Sequence, residues 1–266
     1  MGRLAILAGG GNLPRRLAAL CPDAVQITFK GVTHGLGGSA QEQSYEKMGA
    51  LFAALKSQGV SEVVMAGAMS RPDLDPAAFD DTMKALAPRL MAAMSQGDDA
   101  LLRLVIAIFE EQGFAVRGAH EIDPSLTAAA GCLSGNALDA RARADADRAI
   151  DILTALGPLD VGQGAVVENG LCLGIETLQG TDALLGFVAN TPKHLRKGGG
   201  VFVKAPKRGQ DLRVDMPTIG PGTVKAAALS GLSAIVLAAR SVILLEREET
   251  LKCAEAHGIT LIAQEI

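Results

Sequence analysis

The stretch LAILAGGGNLPRRLAAL, Leu4 to Leu20, decides how the chain is read. Leu4 to Ala8 is a short apolar run closed by glycines, the mark of a buried strand. Gly9-Gly10-Gly11-Asn12 breaks regular structure, and Leu13 to Leu20 then carries a helical pattern. Strand, glycine turn and helix together open a nucleotide-binding α/β unit. Pro14 stands where the dinucleotide fingerprint GxGxxG requires its last glycine, so NAD is not expected. Gly10, Gly11 and Asn12 are therefore candidates for phosphate or sugar contact. A tight turn that needs only backbone freedom accounts for the same residues.

Working outward, the alternation repeats. Val25 to Phe29 reads as a second strand, followed by a glycine-rich stretch in which His34 is an exposed loop histidine rather than a catalytic one. Glu46 to Gln58 reads as a helix with Met48, Leu51, Phe52 and Leu55 on one face. Glu62 to Ala66 supplies a third strand. The loop after it, Gly67 to Pro72, offers Arg71 to an anion. Asp75-Pro76 has the cap and first-turn order of a helix that continues past Leu90. A further helix, Ala100 to Gln112, is capped by Asp98. The Asp98–Asp99 pair is read as helix-start chemistry rather than a metal site. Phe114 to Arg117 is a fourth strand, and the alternation implies a mainly parallel, doubly wound sheet.

Pro124 to Asn136 is small, polar and glycine-containing, and Leu138 to Leu156 reads as a charged connector helix. The expected organisation is a Rossmann-like α/β domain over residues 1–130, a helical linker over 131–158 and a second α/β domain over 159–266. Asn169-Gly170 between two apolar runs is a hairpin signal. Asp182 then opens a helix, either as a first-turn residue or, with Glu176, as a carboxylate facing a ligand.

The second chemical stretch is KAPKRGQDLRVDMPTIGPG, Lys204 to Gly222. It follows the apolar run Val201 to Val203 and precedes a helix start near Pro221 and Thr223. A strand end opening onto a polar loop and a helix N-terminus is where an open α/β sheet places its ligand. Lys204, Lys207, Arg208 and Arg213 beside Asp211 and Asp215 are what phosphate plus a divalent metal requires. A solvated surface loop is the competing account.

The 266 residues allow one large or two ordinary domains, and 48% hydrophobic with 20% charged residues describes a globular chain. A net charge of −4 and 3% aromatics, with no Trp, argue against a nucleic-acid binder. Cys21, Cys132, Cys172 and Cys253 are far apart and form no CxxC pair. With no signal peptide and no membrane-spanning run, a cytoplasmic protein with reduced thiols is expected.

The motifs LAILAGGGNLP, EVVMAGAMSRPDL, GDDALLRLVIAIFEEQGF and GAHEI, then LDVGQGAVVENG, ETLQGTDALL, GGGVFVKAPKRGQDLRVDMPTIGPGTV and ALSGLSAIVLAARSVILLERE, run in collinear order over nearly the whole chain. In this the chain resembles the LpxI-type UDP-2,3-diacylglucosamine pyrophosphatases of Gram-negative bacteria. It departs from them at Ala238-Ala239-Arg240, where the family pattern is an acidic, glycine-containing EAG.

The resemblance implies two domains holding a lipid between them, and magnesium-dependent hydrolysis of UDP-2,3-diacylglucosamine to 2,3-diacylglucosamine 1-phosphate (lipid X) and UMP in lipid A biosynthesis. Dense negative charge on a pyrophosphate calls for cations, N–H donors and a metal. Asp215 is then the first candidate for the catalytic carboxylate and Mg2+ ligand, and Asp182 the second. Lys204, Lys207 and Arg213 would hold phosphate, Thr181, Thr218, Gly220 and Thr223 would add donors, and Gly10, Gly11, Asn12 and Arg71 would serve the nucleotide or glucosamine end. Peripheral contact with the cytoplasmic membrane face and a homodimer stay open. Two rivals are a hydrolase of a non-lipid nucleotide sugar and a non-catalytic module binding a phosphorylated metabolite.

Overall fold

A computed structural model describes residues 2–69 and 72–266. It falls into two compact units: Met1–Pro124 with Arg213–Asp215, and Ser125–Leu212 with Met216–Ile266.

The first unit contains β1 (Arg3–Ala8), α1 (Leu13–Leu20), β2 (Val25–Phe29), β3 (Gln41–Gln43), α2 (Met48–Ser57), β4 (Val60–Ala66), α3 (Asp81–Met94), α4 (Asp98–Glu111), β5 (Ala115–Arg117) and α5 (Ala119–Ile122). Its sheet has the order β3-β2-β1-β4-β5 and is parallel throughout. Ala5, Ile6, Leu7 and Ala8 are all buried, as a strand covered on both faces requires. Helices α2 and α4 close over the sheet with Leu51, Phe52 and Leu55 and with Ile106, Ile108 and Phe109. Phe52 meets Phe109 edge-on at 5.3 Å, and Phe114 joins them.

The chain leaves β1 toward β2 on one side and returns as β4 on the other. The carboxyl ends of β1 and β4 thus form the switch point of the sheet. They are bonded together there: Gly9 N–H donates to the Ala66 carbonyl (2.8 Å), Gly10 N–H to the Ala68 carbonyl (2.7 Å) and Ala68 N–H to the Gly10 carbonyl (3.1 Å). A side chain at Gly67, whose φ is +92°, would fall on the Gly10 carbonyl oxygen. Gly67→Ala combines backbone strain with a backbone clash. It should lower stability by roughly 2–3 kcal/mol, read as a lower urea midpoint for the first unit.

Two helix starts differ from expectation. Asp75 caps only a short 3-10 turn, Pro76–Ala78, and Phe79 then turns extended, so the long helix begins at Asp81. Asp80 caps it through Met83 N–H (2.7 Å) and also accepts from Gly49 N–H (2.8 Å) at the start of α2. One carboxylate thereby holds two helix starts, and that fixes the break. The cap of α4 is Gly97, while Asp98 and Asp99 lie in its first turn, with Asp99 paired to Arg103 at 2.8 Å.

The second unit contains β6 (Gly131–Ser134), α6 (Ala140–Leu156), β7 (Gly164–Glu168), β8 (Leu171–Ile175), α7 (Gly180–Ala189), β9 (Gly200–Lys204), β10 (Thr218–Ile219), α8 (Pro221–Leu229), β11 (Leu232–Ala238), β12 (Ile243–Leu244), α9 (Arg247–His257) and β13 (Thr260–Gln264). Its main sheet has the order β6-β13-β11-β9-β7-β8. β9, β11 and β13 are mutually parallel, whereas β6 and β7 run against them. β8 is antiparallel to β7, so β8 and β9 end on the same edge. β10 and β12 form a separate parallel pair.

The helix α6 is a core element, not a solvated linker. Ala142, Ala146, Ala149 and Leu153 are buried in the hydrophobic core of the second unit. Its buried Asp145 accepts from the N–H groups of Asn169 (2.9 Å) and Gly170 (2.7 Å) in the β7–β8 hairpin turn. Those two residues have φ values of 49° and 76°, the left-handed geometry that an Asn-Gly hairpin turn supplies.

Candidate active site

The chemistry of the second unit gathers where β8 and β9 end. β9 is buried along its whole length and finishes on Lys204, which pairs with Leu237 of β11 on one side and Gly164 of β7 on the other. Four apolar residues carry the strand through the core, and the fifth delivers an ammonium group to its carboxyl end. Lys204 is 3% exposed and Glu176, just past β8, is 8% exposed. Lys204 Nζ donates to Glu176 Oε2 at 2.6 Å and to Thr181 Oγ1 at 2.9 Å. Thr181 lies in the first turn of α7, so the ammonium ties the ends of two strands to the start of a helix.

Glycines make the room. A Cβ at Gly164 would come within 2.5 Å of Glu176 Oε2 and 2.7 Å of the Phe202 ring. At Gly162, where φ is +64°, it would fall on the Glu176 carbonyl oxygen. Glu176 is also anchored by its own N–H, which donates to the Gly164 carbonyl at 2.7 Å.

The other expected residues are distributed as follows. Asp182 is exposed in the first turn of α7 and has no ion-pair partner among the described residues. Lys207 pairs with Asp160, and its N–H donates to Gln210 Oε1 at 2.9 Å. Thr218 Oγ1 donates to the Met216 carbonyl at 3.0 Å. Gly220 caps α8, where its N–H and the Thr223 hydroxyl lie 3.4 Å apart in a capping-box arrangement. Arg213 and Asp215 group with the first unit, where Arg213 Nη1 bonds Glu110 Oε1 at 2.8 Å and Val214 packs on the hydrophobic core. Asp215 is half-buried beside them.

At the glycine turn of the first unit, the Gly10 N–H is committed to Ala68 and so is not a donor for an anion in this conformation. Gly11 is exposed with φ +87°, and Asn12 stands at the N-cap of α1 without a side-chain cap bond. Arg71 lies outside the described residues.

Among the described residues no group of three or more His, Cys, Asp or Glu side chains could hold a metal. Magnesium does not demand such a cage, because it is commonly held by one or two carboxylates together with phosphate oxygens and water. Asp182 fits that donor set, being an exposed carboxylate with no cation paired to it among the described residues. No described helix is long and apolar enough to cross a membrane.

The sequence reading missed Gly164 and left Glu176 as one of two alternatives. The available signal was Gly162-Gln163-Gly164 leading into the fully buried strand β7.

Comparison with known proteins covers both units. The family model described as LpxI N-terminal domain matches residues 3–126, and that described as LpxI C-terminal domain matches residues 129–262. A protein of Caulobacter vibrioides (strain ATCC 19089 / CIP 103742 / CB 15) named UDP-2,3-diacylglucosamine pyrophosphatase LpxI is 37% identical over 281 residues, spanning 98% of this chain and 97% of that protein.

Proposed function

The chain belongs to the LpxI family, and we propose that it hydrolyses the pyrophosphate of UDP-2,3-diacylglucosamine in a magnesium-dependent reaction, giving lipid X and UMP. The observation that carries this reading is the likeness to a protein of that name over nearly the full length of both. The geometry supports it with a buried cation at the carboxyl ends of β8 and β9, the edge where α/β sheets bind their ligands.

In the proposed reaction a water oxygen bonds to one phosphorus while the bridging P–O bond breaks. One phosphate stays on the sugar and the other leaves as UMP. Asp215 would orient the water and take up its proton, and Asp182 is the second candidate for that carboxylate. Magnesium, when bound by the carboxylate, would offset the charge of the pyrophosphate. Lys204 would meet a phosphate oxygen, and Lys207 and Arg213 would add positive charge on release from Asp160 and Glu110. Gly11 and Asn12 would contact the nucleotide or the glucosamine. Leu178, 92% exposed in the turn just before α7, would give an acyl chain or the membrane face an apolar contact.

The reading is tested by measuring UMP from UDP-2,3-diacylglucosamine with magnesium and then with EDTA. Equimolar UMP and lipid X that fall to background in EDTA are expected. Equal cleavage of UDP-N-acetylglucosamine would point to a non-lipid substrate, and saturable binding without product to a binding module.

A further inference from the structure

We propose that Glu176 is a positioning residue, which acts on the substrate only by holding Lys204 so that its remaining N–H meets a phosphate oxygen. This rests on the pyrophosphatase reading above and adds to it a residue that never touches the substrate.

The first argument is valence. An ammonium group has three N–H donors, and Lys204 places two of them on Glu176 Oε2 (2.6 Å) and Thr181 Oγ1 (2.9 Å). Lys204 has no third acceptor among the described residues. Two anchored donors restrict the direction of the third. A donor held in place before the reaction gains more from a developing negative charge than one that must first be ordered.

The second argument is energetic. A buried ion pair costs about as much in lost hydration as it returns in attraction, and an apolar pair of equal volume is often as stable or more so. Stability alone therefore does not account for placing Lys204 and Glu176 in a strand end that is otherwise apolar. The surroundings are nonetheless shaped for the pair, because a Cβ at Gly164 would displace the Glu176 carboxylate and one at Gly162 its carbonyl. That room goes to the carboxylate that orients the lysine. The lysine needs such help, because its long stem otherwise leaves it a mobile point charge.

The third argument is placement. Glu176, just past β8, and Lys204, at the end of β9, are 28 residues apart and their strands are separated by β7, yet both are at the carboxyl-end edge. Asp182, one residue beyond Thr181, supplies an exposed carboxylate at the same helix start. A cation for a phosphate oxygen, bonded to Thr181, and a carboxylate for a metal are thus both brought to the start of α7.

The test is a double-mutant cycle on kcat/KM for UMP release, using the full chain and the variants Lys204→Met, Glu176→Gln and both together. Lys204→Met should lower kcat/KM about 100-fold, as loss of a preorganised donor does. Glu176→Gln should lower it about tenfold, and should cost nothing further once Lys204 is Met. Additive losses would show that Glu176 acts independently of Lys204 and overturn the proposal. The variant Lys204→Met with Glu176→Leu removes both charges, and an unfolding midpoint near wild type with the same 100-fold loss excludes a merely structural role. Calorimetric binding of inorganic pyrophosphate separates this proposal from the activity reading. If wild type does not cleave the lipid substrate but binds pyrophosphate, and Lys204→Met does not, the anion site stands without the proposed activity. If pyrophosphate binding is equal in the two, or absent from both, the proposal fails whatever the activity.

Discussion

Replacing Asp215 with alanine should lower UMP release from UDP-2,3-diacylglucosamine by about a thousandfold or more, with the unfolding transition unmoved. The proposed reaction needs a carboxylate to orient water and hold magnesium, and among the polar loop residues Asp215 is the carboxylate nearest in sequence to α8, with β10 between them. Its neighbours explain why the fold should survive. Val214 packs into the core of the first unit and Arg213 is bonded to Glu110, so the backbone at Asp215 has anchors apart from its own side chain. Asp215→Asn keeps the size and removes the charge, and it should be nearly as inactive as the alanine variant. A near-normal rate in either would remove Asp215 from the mechanism. An inactive but destabilised protein would instead assign the residue to the fold. The two variants are therefore read by kcat/KM and by urea midpoint together.

What could be read from the sequence followed the range of the interaction. The β1 glycine turn and the Asn169-Gly170 hairpin were legible because their geometry is local and only a few residue types adopt it. The parallel sheet of the first unit was legible in four of its five strands, which carry apolar residues between helical patterns, whereas the edge strand β3 is the polar Gln41–Gln43 and gave no such signal. The role of α6 was not, although its buried residues recur at helical spacing. Three of its four core positions are alanines set among arginines and aspartates, so apolarity is faint while charge is conspicuous. The helix start at Asp81 was hidden because Asp80 is shared with α2, a contact between residues 31 apart. The Lys204–Glu176–Thr181 group was beyond reach for the same reason. It depends on β8 and β9 flanking β7, and nothing in the spacing of the residues states that order. Asp215 was singled out from its loop, yet its grouping with the first unit rests on packing by Val214 that the polar surroundings concealed.

The largest expected effect on stability comes from Glu168→Ala. Glu168, at the end of β7, is 3% exposed, accepts three hydrogen bonds and makes one further close ion-pair contact. Arg196 approaches Oε2 through Nε at 2.8 Å and through Nη2 at 2.6 Å. The N–H groups of Lys197 and Gly198 donate to Oε1 at 2.6 and 2.9 Å. The same guanidinium donates to the carbonyls of Val188 (3.2 Å) in α7 and Ser230 (2.9 Å) after α8. One carboxylate therefore orders the whole connection from α7 into β9. Its removal leaves a largely buried guanidinium and two N–H groups without their acceptor, which costs about 3–5 kcal/mol. The transition of the second unit should fall by roughly 10 °C. Burial alone would raise the Glu168 carboxyl pKa, but the bonds from Arg196 and the two backbone N–H groups outweigh it and hold the group below its usual value. A lowered folded pKa means the contribution is complete above the unfolded value of about 4.3. It is lost as pH falls from there through the folded value, because in that window the unfolded chain takes up a proton that the folded carboxylate does not. The stability gap between wild type and Glu168→Gln, measured by urea unfolding, should accordingly be constant near neutrality and shrink below about pH 4. A gap independent of pH down to 3, or a Glu168→Ala transition within about 2 °C of wild type, would show that the connection is held by its backbone and not by this carboxylate.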